Sequence, residues 1–148
     1  DPNITCPEGL SEYHCDDPPL FNACSVSNLD SVKVLFKYGA NINAIGSQGR
    51  SVVVWSAHQG FPVVTKWLLE NGADYSIEDD DGASVAESEL HREFDPATEP
   101  NEYAAHEWIL KFLADKGVDM KAAEEKSRKL YEANFRPRES AKSKNLSR

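Results

Sequence analysis

Phe36-Lys37-Tyr38-Gly39-Ala40-Asn41-Ile42-Asn43 is followed, 33 residues later, by Leu69-Glu70-Asn71-Gly72-Ala73-Asp74-Tyr75-Ser76. Each octet runs from a large apolar residue through Gly-Ala to Asn or Asp. The same offset relates Gly49 to Gly82, Ser51 to Ser84, and Pro18-Pro19-Leu20 to Ser51-Val52-Val53. A fixed period of this length marks a stacked repeat, because each unit is one supersecondary motif that buries its apolar face only against its neighbours.

Outward from the octets, each unit reads as two short helices and a loop. In the first unit Leu20 and Ala23 form a narrow apolar stripe, then Val32, Leu35 and Phe36 follow at helical spacing with Val34 beside them. The second unit repeats this with Val53, Trp55 and Ala57, then Val64, Trp67, Leu68 and Leu69. Gly39 and Gly72 stand just past the second helix, where a left-handed residue closes a helix. Gly49 and Gly82 fall in the next turn, where positive φ suits glycine. The third unit opens at Gly82-Ala83-Ser84, but its second helix is late. Trp108, Ile109, Phe112 and Leu113 lead to Gly117-Val118-Asp119, twelve residues beyond the expected glycine. Pro96 and Pro100, within the stretch from Phe94 to Asn101, predict a loop between the two helices.

The pattern resembles the ankyrin repeat. The matching residues are the Thr-Pro-Leu-like Pro18-Pro19-Leu20, the Gly-Ala-Asn/Asp of residues 39–41 and 72–74, Asp81-Gly82, and the period itself. The resemblance runs from Asp16 to Met120. Ser51-Val52-Val53-Val54 departs from the usual Thr-Pro-Leu-His: the capping hydroxyl is kept, the proline and histidine are not. The resemblance implies an all-α solenoid of helix-turn-helix units with hairpin loops, at 18–50, 51–83 and 84–118, with an insertion near 94–105. Helix pairs are expected near 19–38, 52–71 and 85–116. Residues 119–134 should form a closing helix, capped by Asp119, with Ala122, Ala123, Leu130 and Tyr131 on its apolar face. Residues 135–148 form a basic tail. Residues 1–17 read as an N-terminal arm or the remnant hairpin of an upstream repeat, since Asp1-Pro2-Asn3-Ile4 resembles the Asp-x-Asn that follows Gly-Ala.

The chain has 148 residues, about one domain, with 40% hydrophobic and 28% charged residues and a net charge of −9. From Ser76 to Glu107 there are eleven acids against one base, Arg92. The tail from Phe135 to Arg148 carries +4. An acidic block of this kind argues against nucleic acid as a main ligand, because phosphate contacts need clustered Lys and Arg. No apolar run is long enough to span a membrane, and no signal segment opens the chain. The only methionine is Met120 and the chain begins at Asp1, which reads as a cut or processed terminus. An intracellular, soluble location is expected, cytoplasmic or, after removal of a leader, organellar.

Candidate chemistry is thin. Cys6, Cys15 and Cys24, with His14, match no paired Cys-x-x-Cys spacing, and Cys24 sits where the resemblance puts a packed alanine. Glu78-Asp79-Asp80-Asp81-Gly82 lacks the first and twelfth acids of a calcium loop, so it reads as a solvated hairpin tip. His106-Glu107 begins a His-Glu-x-x-His motif, but Leu110 stands at the second histidine. Trp55, Trp67 and Trp108 fall at positions that such repeats bury. Asn43, eight residues after Leu35, occupies the hairpin position that asparaginyl hydroxylases modify in ankyrin proteins. Neither a catalytic site, a metal nor a cofactor is expected.

The resemblance implies a non-catalytic protein-interaction module, with variable side chains on hairpin tips and a concave face of first-helix ends. In unit two these are Ser47, Gln48, Arg50, His58, Gln59 and Asn71. In unit three they are Asp80, Asp81, Ala83, His91 and Arg92, and in unit one Asp17, Ser25, Val26 and Tyr38. The expected partner is a protein with a basic patch. The alternative is a permanent structural subunit of a larger multiprotein assembly, organellar if a leader was removed.

Overall fold

The computed structural model describes residues 1–4 and 17–132. Among them are a short 3-10 turn (Ser47–Gly49) and seven α-helices: α1 (Pro19–Ser25), α2 (Leu29–Lys37), α3 (Val52–Gln59), α4 (Pro62–Glu70), α5 (Val85–Leu90), α6 (Pro100–Asp115) and α7 (Met120–Leu130). The period is visible in their starts. Pro19, Val52 and Val85 open α1, α3 and α5 at 33-residue steps, as Leu29 and Pro62 open α2 and α4.

The helices pair as α1 with α2, α3 with α4 and α5 with α6. The first helices also stack on one another, α1 on α3 and α3 on α5, and α4 packs on α6. This places α3 at the centre, and its composition matches that position. Val52, Val53, Val54 and Ala57 are all fully buried, so α3 is apolar around most of its circumference rather than along one stripe. Burying each large aliphatic side chain contributes about 1.5–3 kcal/mol before chain entropy is counted. Cys24, fully buried on α1, is a packed thiol whose pKa burial pushes up to about 12. Cys6, His14 and Cys15 lie outside the described residues. The three tryptophans are partly buried and pack against the core.

Each second helix ends in the same way. Ala40 N–H donates to Leu35 C=O (3.0 Å), Ala73 N–H to Leu68 C=O (3.0 Å) and Val118 N–H to Leu113 C=O (3.1 Å). The intervening glycines hold φ of +92°, +91° and +88°. These bonds satisfy carbonyls that a helix end leaves orphaned. After each glycine the chain turns through a side-chain bond, Asn41 Oδ1 accepting from Asn43 N–H and Asp74 Oδ1 from Ser76 N–H. Asn43 Oδ1 then accepts from Asp74 N–H (2.8 Å), tying unit two to unit one. Asn3 repeats this device: its Oδ1 accepts from Asn41 N–H (2.7 Å), and Asp1 Oδ1 accepts from Asn3 N–H.

The structure differs from expectation in two places. The extra residues of unit three do not all form a loop: residues 91–99 make the connection and Pro100 opens α6, which has 16 residues against nine in α4. Proline at the first turn costs no hydrogen bond, so the second proline starts the helix instead of breaking it. In α7 the buried residues are Ala123 and Ser127, with half-buried Tyr131 one further turn along, while Ala122 and Leu130 are exposed. The seam follows the i, i+4, i+8 spacing of one helical face. Asp119 does cap α7, its Oδ1 accepting from Lys121 and Ala122 N–H. The end of the expected helix and the basic tail fall on residues outside those described. No helix among the described residues is long and apolar enough to cross a membrane.

Candidate functional site

The loops between second helix and next first helix fold as hairpins. Gly46 N–H donates to Arg50 C=O (2.9 Å), and Asp79 N–H to Ala83 C=O (2.9 Å) one period later. The two tips are joined by Asp80 N–H donating to Gln48 C=O (3.0 Å). Asp17 Oδ1 accepts from both the N–H and the hydroxyl of Ser47, which ties the preceding segment to the same row. Gln48 sits at φ +60°, an uncommon conformation for a side-chain-bearing residue. Gly46 is needed for close approach: a Cβ there would lie 2.6 Å from the Phe21 ring.

The acidic run of the second tip is not one solvated patch. Asp79 is buried, its carboxylate accepting from Arg50 Nε (3.1 Å), Asp81 N–H (3.0 Å) and Ala83 N–H (2.8 Å). Glu87 Oε2 accepts from the Ser84 hydroxyl (2.6 Å) and N–H (2.8 Å), which locks the start of α5. Glu89 pairs with His106 (2.6 Å), each side chain 1% exposed. Glu78 binds Lys126. Asp80 and Asp81 remain exposed at the tip.

Arg50, expected on the binding surface, is instead the buried partner of Asp79 and lies over the Trp55 ring, 5.4 Å from its centre. Its outer nitrogen reaches Asp81 at 4.0 Å. Asn71 is exposed but turns back on its own helix, Nδ2 donating to Trp67 C=O (2.8 Å). Ser47 and Gln48 are exposed beside Asp80; Gln59 is half-buried after His58. Ala83, one of the variable positions, is fully buried. Val26 and Tyr38 of unit one are strongly exposed.

The expected residues that come together are His58, His91 and Arg92, with Arg50 beneath them. Ser25, His58 and His91 are one position repeated at 33-residue steps, so their side chains line the ends of the stacked first helices. A continuous row of rings results. Phe21 stacks on Trp55 (5.1 Å between centres), Trp55 on His58 (6.1 Å), His58 meets His91 (5.9 Å), and His91 stacks on Tyr131 (4.1 Å). The Ser25 hydroxyl accepts from Trp55 Nε1 (2.7 Å), fixing the indole. The Arg92 guanidinium donates to His58 C=O, and the Arg92 backbone N–H donates to Glu89 C=O (3.0 Å).

Both imidazoles are held neutral. Burial lowers the His58 pKa, and Arg50 and Arg92 lower it further, against a smaller opposing pull from Asp79 and Asp81. Burial and then Arg92 take His91 down to about 4. The row therefore combines half-buried rings, the charge of Arg92 and, at the rim, the exposed carboxylates of Asp80 and Asp81. Tyr131 belongs to the row but was expected only as packing on the closing helix; it lies outside the repeat period, so no spacing pointed to it.

A family model described as ankyrin repeats, in three copies, matches residues 1–79. An ankyrin repeat protein of Acanthamoeba polyphaga mimivirus is 38% identical over 83 residues, which is 53% of this chain and 11% of that protein. Protein phosphatase 1 regulatory subunit 27 of Homo sapiens is 33% identical over 76 residues, 51% of this chain and 45% of that protein. A palmitoyltransferase of Saccharomyces cerevisiae is 32% identical over 79 residues, 51% of this chain and 10% of the enzyme. The chain thus spans less than half of each of these relatives.

Proposed function

The chain belongs to the ankyrin-repeat family, and from that premise we propose that it is a non-catalytic recognition module that docks a protein partner across its first-helix ends and hairpin tips. Ankyrin repeats generally act as protein–protein interaction modules. The observation that carries the reading here is the ring row from Trp55 to Tyr131, flanked by exposed Asp80 and Asp81. The partner segment is basic, because the exposed charge at the rim is acidic and complementary charge steers association. The two rim carboxylates, Gln59, His58, His91 and Arg92 form the footprint, with Ser47 and Gln48 at its tip. Arg50 supports that footprint from below.

The name of the human relative describes a regulatory subunit, which supports membership of a complex in which another chain does the chemistry. The yeast relative places similar repeats in a chain named as an enzyme. In the present chain the buried His106–Glu89 pair has no access to a substrate, which favours the non-catalytic reading.

Photo-crosslinking tests it. A cross-linker at Gln59 captures a protein from a cell extract that a cross-linker at exposed Lys33 of α2 does not. Reversing the rim with Asp80→Lys and Asp81→Lys lowers that capture severalfold and flattens its salt dependence, with the far-UV spectrum unchanged. Equal capture at both positions, insensitive to reversal, would refute the footprint.

A further inference from the structure

The closing helix is held to the stack by few buried side chains. α7 packs on α5, yet among its own residues only Ala123 and Ser127 are buried. The Ser127 hydroxyl donates to Glu87 C=O (2.8 Å), and Lys126 bridges Glu78 and, at 3.8 Å, Glu87. Half-buried Met120 packs against the core at its start, and at its end Tyr131 lies flat on His91 at 4.1 Å and within 6.0 Å of His58. The C-terminal end of the cap therefore rests on two imidazoles from successive repeats.

Those imidazoles sit in surroundings that oppose positive charge. His91 faces Arg92 and His58; His58 faces Arg50 and Arg92 from one side and Asp79 and Asp81 from the other. From α7, Tyr131 is held neutral by burial and Lys126 is a further cation near the same hairpin. From α5, Glu89 faces Arg92, and the backbone of Glu87 and Ser88 partly supports a charged His91. His58 Nδ1 and Arg92 Nε find no hydrogen-bond partner among the described residues. A second proton on His58 would thus meet two guanidinium groups, and one on His91 would meet Arg92 and the His58 imidazole, each in a half-buried site.

We propose that α7 is an acid-released cap: protonation of the His58–His91 pair lifts Tyr131 and detaches the closing helix while the repeats beneath stay folded. Local opening exposes the imidazoles at a smaller cost than global unfolding, so the helix whose end rests on them yields first. The direction follows from linkage. The closed state has the lower affinity for the proton, His91 falling from 6.5 to about 4. Closure is then fully favoured above about pH 6.5 and weakens as pH drops towards 4. Restoring an ordinary His91 on opening shifts the closed/open ratio by at most about 30-fold at pH 5, less whatever solvent screens at a half-buried site. The proposal does not depend on any partner being bound.

Hydrogen exchange of the full chain, corrected for intrinsic rates, at about pH 7.5 and about pH 5 tests it. Amides of Met120–Leu130 should lose roughly tenfold or more of their protection at the lower pH, with Val52–Gln59 unchanged. His91→Phe keeps a ring under Tyr131 but takes no proton, and should abolish the loss. Should that variant misfold, titration of the wild-type imidazoles by NMR decides instead, His91 titrating well below 6.5 with the Tyr131 ring signals moving in step. Equal loss in wild type and variant, α7 unmoved by acid, or an ordinary His91 midpoint would each overturn it.

Discussion

Asp79 stands in a row of four acids, yet its side chain is only 1% exposed while Asp81 beside it is 74% exposed. It answers one side-chain donor and two backbone donors at once. Removing it strands the Arg50 guanidinium, 9% exposed, against Trp55. Asp79→Ala should therefore cost about 3–5 kcal/mol, the range for breaking one side of a buried ion pair. Asp80→Ala, at the exposed tip, should stay within about 0.5 kcal/mol. Urea denaturation of the two variants side by side measures the contrast, and similar midpoints would mean that Asp81, 4.0 Å from Arg50, takes over the charge. The sequence did not separate these acids, for a physical reason. Asp79 and Arg50 align one period from Ala83 and Gly46 in crossed fashion, so neither neighbour unit carries a matching charge to announce the pair. Charge runs are read as surface by default, and burial of one member is decided by a partner from the adjacent hairpin.

At the scale of the element, helix ends were the most legible feature. The glycines at 39, 72 and 117 close three helices with the same backbone bond, because a residue past a helix end at φ near +90° excludes most side chains. A Cβ on Gly39 or Gly72 would meet nothing within 4 Å. Substitution there is opposed by backbone conformation alone. Gly39→Ala and Gly72→Ala should each cost about 1–2 kcal/mol and cost the same within error; thermal unfolding that separates them widely would reveal contacts beyond the backbone. The start of α6 and the seam of α7 were less legible. Pro100 reads as a breaker from sequence and as a first-turn residue in three dimensions, and the difference lies in the nine-residue connection that lets α6 begin there. The face of α7 was misjudged because Ala122 and Leu130 look apolar, whereas the hydroxyl of Ser127 has a carbonyl waiting on α5. The ring row was half legible: the recurrence of His58 and His91 is in the period, and Tyr131 is not.

Across the whole molecule, stability is a sum of units and of the interfaces between them. α3 alone is bounded by a first helix on each side and by its own second helix, and Val52, Val53, Val54 and Ala57 contribute no accessible surface. α1 is covered by α3 on one side, and α7 covers α5 through two small side chains and a ring. Opening free energies should follow that order even at neutral pH. Hydrogen exchange should show the slowest amides in α3 and α4, intermediate ones in α1 and α5, and the fastest helical amides in α2, which buries only Val32, and in α7. Leu68, fully buried on α4, tests whether the centre supports the rest. Leu68→Ala should cost about 2–5 kcal/mol, and with so few units to share that loss it should lower protection in α1 and α6 as well as in α3. A loss confined to α3 and α4 would mean that the units open independently, and uniform protection from α1 to α7 in the wild type would mean that the stack opens as one. Either result would also bear on recognition. A ring row assembled from α1, α3, α5 and α7 presents a continuous face only while those interfaces hold together.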